Sequence, residues 1–162
     1  MSFARLALMS AAIALPTLAQ AQIAQVRALP TALAVELAQA TVAACAAKNF
    51  NVAATVVDRG GVVLATIRAD RAGPHTIDAS RAKAFTSVSA KNNTGAMAEA
   101  AANNAGARNL VHIPGFLLLG GGVPVKVGDE VIAAVGVGGA PGGHLDEECA
   151  NAGLQAIAAK LK

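Results

Sequence analysis

V-P-V-K-V-G-D-E-V-I-A-A-V-G-V, residues 123–137, is the stretch that decides the architecture of this chain. Val123, Val125 and Val127 alternate with Pro124 and Lys126, the period-2 pattern of a strand with one buried face. Gly128-Asp129 makes a tight turn, and Val131–Val137 returns as the partner strand. Pro124 has no N–H to give to a ladder, so the first of the two strands belongs at a sheet edge. Asn51–Asp58 (N-V-A-A-T-V-V-D), the turn Arg59-Gly60-Gly61 and Val62–Arg68 repeat the plan earlier in the chain. Two antiparallel hairpins cannot make a parallel sheet. They join as one antiparallel sheet with helices packed on it, so the expectation is a single α+β domain with about five strands.

Helical patterns surround the hairpins. Pro30 opens a helix whose Leu33, Leu37, Ala40 and Ala44 share a face through about Lys48. Thr76 or Asp78 can cap a second helix, with Ile77, Ala84, Phe85 and Val88 on its apolar face and Arg81 and Lys83 elsewhere around the turn. Asn92-Asn93 interrupts it, and Thr94 caps a short Ala-rich helix up to about Asn104. The last helix is expected from about Leu145 to Leu161, with Leu145, Cys149, Ala152 and Ala156 on one stripe. Cys45 and Cys149 both fall in Ala-rich helical patterns, where a free cysteine acts as a small hydrophobe. An exported chain can also join them, and sequence alone does not fix their separation.

Residues 1–21 have the three parts of a secretory signal: Arg5 in a short n-region, an apolar run from Leu6 to Leu18, and Ala19-Gln20-Ala21 before a cleavage point that leaves Gln22 first. The run is shorter than the ~20 residues that span a bilayer, so no membrane insertion is expected. Residues 22–162 then form one domain working in the periplasm or as a secreted protein. Without Arg5, twelve basic residues face ten acidic ones, a balance too mild for a nucleic-acid partner. The absence of Trp and Tyr also removes the usual stacking platforms for bases.

Four features could carry chemistry. The segment G-V-G-G-A-P-G-G-H, residues 136–144, feeds a helix as phosphate cradles do, yet fits neither dinucleotide nor P-loop spacing. Asp146, Glu147 and Glu148 already complement the positive end of that helix and would repel a phosphate. Its glycines, Gly139 among them, either close-pack the backbone or let a flat ligand approach it. His75, His112 and His144 are potential metal or haem-iron ligands, although their spacing matches no compact zinc motif and a solvated loop histidine is the commoner case. Arg68, Arg71, Arg81 and Lys83 form a positive group that could hold carboxylates or make an ordinary solvated face. No nucleophile elbow, C-x-x-C or C-x-x-C-H is present, so nucleophilic catalysis and covalent haem attachment are not supported, and no catalytic residue is singled out.

Three stretches give the chain a family likeness: V-V-D-R-G-G-V-V-L-A-T-I-R-A-D (56–70), A-G-P-H-T-I-D-A-S-R-A-K-A-F-T (72–86), and I-P-G-F-L-L-L-G-G-G-V-P-V (113–125) continuing through V-G-V-G-G-A-P-G-G-H-L-D-E-E-C-A to Ala150. In these it resembles the GlcG/HbpS family of small haem-binding proteins, from about Leu33 to Ile157. The resemblance implies an antiparallel sheet flanked by helices, assembly into homo-oligomers, and haem as the bound group. Some exported members act as haem or redox sensors beside a membrane sensor kinase, and the family is labelled haem-degrading in places. On this likeness His75 is the expected axial ligand of a haem iron. Thr76, Arg81, Phe85, Gly139, Pro141 and His144 are the expected companions of the ring and its propionates. The rival expectations are an enzyme acting on haem or a small acid, and an oligomeric scaffold for another protein.

Overall fold

The structure, a computed structural model, describes residues 24–162; the expected signal segment 1–21 lies outside the described residues. The chain runs α1 (Thr31–Ala46), β1 (Ala53–Asp58), β2 (Val63–Arg68), α2 (His75–Ala90), α3 (Thr94–Asn103), a 3-10 turn (Arg108–His112), β3 (Gly122–Val127), β4 (Glu130–Gly138), α4 (Gly143–Ile157) and a closing 3-10 turn (Ala158–Lys160). The four strands form one antiparallel sheet in the order β2-β1-β4-β3. The fold is the α+β class read from the two hairpins, with four strands where about five were expected. Pro124 sits in β3, which is an edge strand as its missing N–H requires.

Helices α1 and α4 cover one face of the sheet and α2 the other. Leu37, Ala38 and Cys45 of α1 pack with Cys149, Ala150 and Ile157 of α4 over Ala54, Val56, Val135 and Val137. The opposite face is thinner: Val57, Val131 and Ala134 meet Ala84 and Val88 of α2. That thinness follows from glycine. A side chain at Gly136 would collide with the Ser80 carbonyl oxygen and lie 2.5 Å from the Ala84 nitrogen. One at Gly122, the ladder partner of Gly136, would strike the Lys83 carbonyl. The sheet is bare where α2 crosses it, so the helix rests backbone against backbone.

The buried face of α2 is consequently polar. Thr76, Ser80, Lys83, Thr86 and Ser87 are inside, while Ile77, expected on the apolar face, is 42% exposed. Thr55 of β1 shares hydrogen bonds with Ser80 (2.8 Å) and Thr66 (3.0 Å), and Thr86 accepts the Leu117 N–H (2.8 Å). The expected faces of α1 and α4 are rotated too, by about one residue in the opposite sense. In α1 the inner positions are Ala34, Leu37, Ala38, Thr41 and Cys45. In α4 they are Asp146, Cys149, Ala150, Gly153 and Ile157, leaving Ala152 and Ala156 outside. Small residues let α1 and α4 cross closely, since a side chain at Gly153 would collide with Thr41.

Cys45 and Cys149 are joined, tying α1 to α4 across 104 residues, so neither is the free hydrophobe that the Ala-rich patterns suggest. Closing so long a loop restricts the unfolded chain strongly. Replacing both cysteines with alanine is expected to cost about 2–5 kcal/mol in urea unfolding; an unchanged midpoint would show that the bridge does not form. Gly136→Ala must push α2 off the sheet and is expected to cost about 3 kcal/mol in the same assay, with a neutral result contradicting the backbone contact.

Candidate functional site

D-E-E, residues 146–148, ends the first turn of α4 and opens the second, and each carboxylate holds a different segment. Asp146 reaches α2: its Oδ2 accepts from Lys83 Nζ at 2.6 Å, and its Oδ1 accepts the Ala140 N–H at 2.9 Å. Both side chains of the pair are almost wholly buried, 2% and 3% exposed. Glu147 reaches α3: Oε1 accepts from Asn93 Nδ2 (2.6 Å) and Oε2 from the Gly95 N–H (3.3 Å). The anionic cap of α3 therefore comes from α4, whereas the Thr94 hydroxyl donates to Leu119 and accepts the Gly122 N–H. Glu148 reaches the end of α1 through Lys48 Nζ at 2.5 Å.

These clamps border a cleft of about 520 Å³ between α3 and α4. Half of its lining is small, Gly95, Ala96, Ala98, Gly120 and Gly143, with Leu119 beside them. Gly120 and Gly143 touch through their backbones, a side chain on either meeting the other at 2.9 Å. His144, Glu147, Glu148 and Asn151 stand along its α4 side.

The expected site residues divide along α2 and across the Gly-rich loop. His75 is the first residue of α2, exposed, with its imidazole folded back against Gly73. Thr76 is buried, donates to the Gly73 carbonyl (2.7 Å) and lies beside Gly139. Arg81 is exposed one turn before Phe85. Phe85 packs over Gly61 and Gly115 and edge-on to Phe116 (6.2 Å), at the far end of the helix. Ten residues separate His75 from Phe85, about 15 Å of helix. Pro141 and His144 are exposed, and His144 folds against Gly142 as His75 does against Gly73. The structure thus brings Thr76 and Gly139 together, and places His144 in the α3–α4 cleft. His75 does not line the α3–α4 cleft, and His112 is exposed in the 3-10 turn. Of the positive group, Arg68, Arg71 and Arg81 are exposed, and Arg68 donates to the Ala72 carbonyl. Lys83 is the exception, buried against Asp146. Lys83 was expected only as one of that positive group and Glu147 only as a complement to the helix dipole; nothing near either in the sequence marks its tertiary partner. No group of three His, Cys, Asp or Glu side chains is disposed to hold a metal ion among the described residues.

Burial pushes the Asp146 carboxyl above its ordinary value, and the Lys83 hydrogen bond and charge and the Ala140 N–H offset this only in part. Glu148 moves the other way, lowered first by its hydrogen bond to Lys48. A carboxyl raised on folding contributes most to stability below its unfolded pKa and loses that contribution as pH climbs to the folded one. The advantage of the wild-type chain over Asp146→Asn is accordingly expected to shrink as pH rises above 3.8, read from urea midpoints across the acid range. An advantage that grows over that range would contradict the direction of the shift.

Known proteins share this fold. The family model of haem degrading protein HbpS-like matches residues 29–155. A solved double mutant of Streptomyces reticuli HbpS is 39% identical, with a TM-score of 0.80, covering 90% of this chain and 98% of that one. An uncharacterized 15.0 kDa protein from the dhaT-dhaS intergenic region of Citrobacter freundii is 33% identical over 117 residues, covering 71% of this chain and 82% of that protein. The fold also recurs in a PduOC–haem complex, at 24% identity and a TM-score of 0.75, with 81% of this chain and 96% of that one covered. With its model spanning almost all of the described domain, the chain belongs to the HbpS-like family.

Proposed function

We propose that this chain is an exported haem-binding protein, with His75 as the iron ligand and Arg81 as a partner for a propionate. Family membership is the observation that carries the reading. The residues present fit the group: an exposed imidazole opens α2, and an exposed guanidinium follows on the same helix, while Phe85 lies too far along it to share the ring with His75. Haem, when bound, supplies its own redox and oxygen chemistry; the protein supplies the ligand and the surface. Export is supported by the Cys45–Cys149 bridge, since disulfides persist in oxidising compartments. The same reading includes self-assembly, for which exposed Val62, Val63 and Ile77 offer apolar surface, and a membrane sensor kinase as partner. Among the described residues no helix is long and apolar enough to cross a membrane.

The α3–α4 cleft favours a second location for the ring, with His144 as the ligand, because its glycine and alanine walls suit a flat molecule. The family's description as haem-degrading favours a second activity, breakdown of the bound group.

Titrating the mature protein with haem separates these readings. A saturable Soret shift that is lost in His75→Ala and kept in His144→Ala is expected; the reverse pattern moves the site to the cleft. No shift in any form would end the haem reading. Under reductant and oxygen a bound spectrum that persists marks a binder, and its decay to a biliverdin-like product marks the degrading activity.

A further inference from the structure

A second recess lies at the opposite end of the sheet from the Gly-rich loop. It occupies about 290 Å³, close to the lower bound for small-ligand pockets. Its floor is Leu29, Leu33, Val127, Ile132 and Leu161, the outer edge of the main core. Three cations surround that floor: Arg27, Lys160 and Lys162.

A backbone irregularity builds this floor. The ladder between β3 and β4 slips between Val125 and Lys126, leaving Ile132 without a partner. Strand alternation would send Ile132 and Ala133 to opposite faces, yet both belong to the same core cluster. The bulge turns Ile132 into the recess, the kind of re-aiming for which bulges serve at binding sites.

Positive charge predominates at the rim. Lys160 is held by Glu36, at 2.6 and 2.8 Å to its two carboxylate oxygens. Arg27 and Lys162 make no ion pair among the described residues, and residues 1–23 contain no Asp or Glu to supply one. An apolar floor rimmed by cations complements a molecule with an alkyl body and an anionic head.

We propose that this recess binds a single-chain amphiphile with an anionic head, of the alkyl carboxylate class. The chain lies on Leu33, Val127 and Ile132, and the head meets Arg27 and Lys162. The site is separate from either haem location. From Ile132 to Gly138 the strand rises about 20 Å, and the recess contains no histidine.

Calorimetric titration of the mature protein with decanoate, below its micelle threshold and at low salt, tests this against decanol and acetate. Decanoate is expected to bind saturably, one per chain, at least tenfold tighter than decanol, with no binding of acetate. Arg27→Gln with Lys162→Gln is expected to weaken decanoate at least tenfold while leaving the thermal midpoint and the haem titration unchanged. Equal affinity for decanol, binding of acetate, or undiminished binding by the variant would each overturn the proposal. Loss of haem binding in the same variant would also overturn it, by making the recess part of the haem site.

Discussion

Lys83 and Asp146 form a buried ion pair between the middle of α2 and the first turn of α4, and the elements around the cleft are arranged by it. Removing two charges from water costs several kcal/mol per ion, which close contact and further hydrogen bonds must offset. Asp146 satisfies this on both oxygens, one toward Lys83 and one toward the Ala140 N–H. Three parts of the chain meet there: the helix under the sheet, the Gly-rich loop and α4. The pair also dictates its surroundings. A side chain at Gly121 would lie 2.7 Å from Asp146 Cβ and 3.1 Å from Lys83 Nζ, so the run Gly120-Gly121-Gly122 is bare where it passes the pair. With the disulfide fixing α4 to α1 and Glu147 capping α3, α4 becomes the element through which the other helices are held in register.

The hairpins were legible because their signals are local. Alternating valines, Gly-Asp and Arg-Gly-Gly turns, and an edge proline each act within a few residues, and all of them agree. The helix faces were not legible from apolarity. Ile77 looks like a core residue and Ser80 like a surface one, but α2 lies on glycines, where only short side chains fit and where Thr55 offers Ser80 a partner. The buried positions were thus chosen by size and hydrogen bonding, which a hydrophobic period does not register. Lys83 is the extreme case: its partner is 63 positions away, and nothing near it in the chain marks it as internal.

The candidate site was legible in part. His144 could be placed at the start of the last helix from its Gly-rich approach, and the structure sets it in a cleft. The use of Asp146, Glu147 and Glu148 was half visible. Only Asp146 lies in the first turn, where it suits the helix dipole, because the helix begins at Gly143; the role of all three is tertiary, one carboxylate to each neighbouring helix. His75 stayed a family inference because an exposed imidazole at a helix start looks the same in sequence whether or not it meets a ligand.

The Lys83–Asp146 pair positions α4 and the Gly-rich loop. A double-mutant cycle of Lys83→Met and Asp146→Leu, followed by urea unfolding, tests it directly. Each single change is expected to cost about 3–5 kcal/mol, by stranding a buried charge. The double change should cost well under their sum, with a coupling energy near the upper end of the 0.5–3 kcal/mol range for interacting pairs. Additive losses, within about 0.5 kcal/mol, would mean that the two charges act independently and that the cleft is held in some other way.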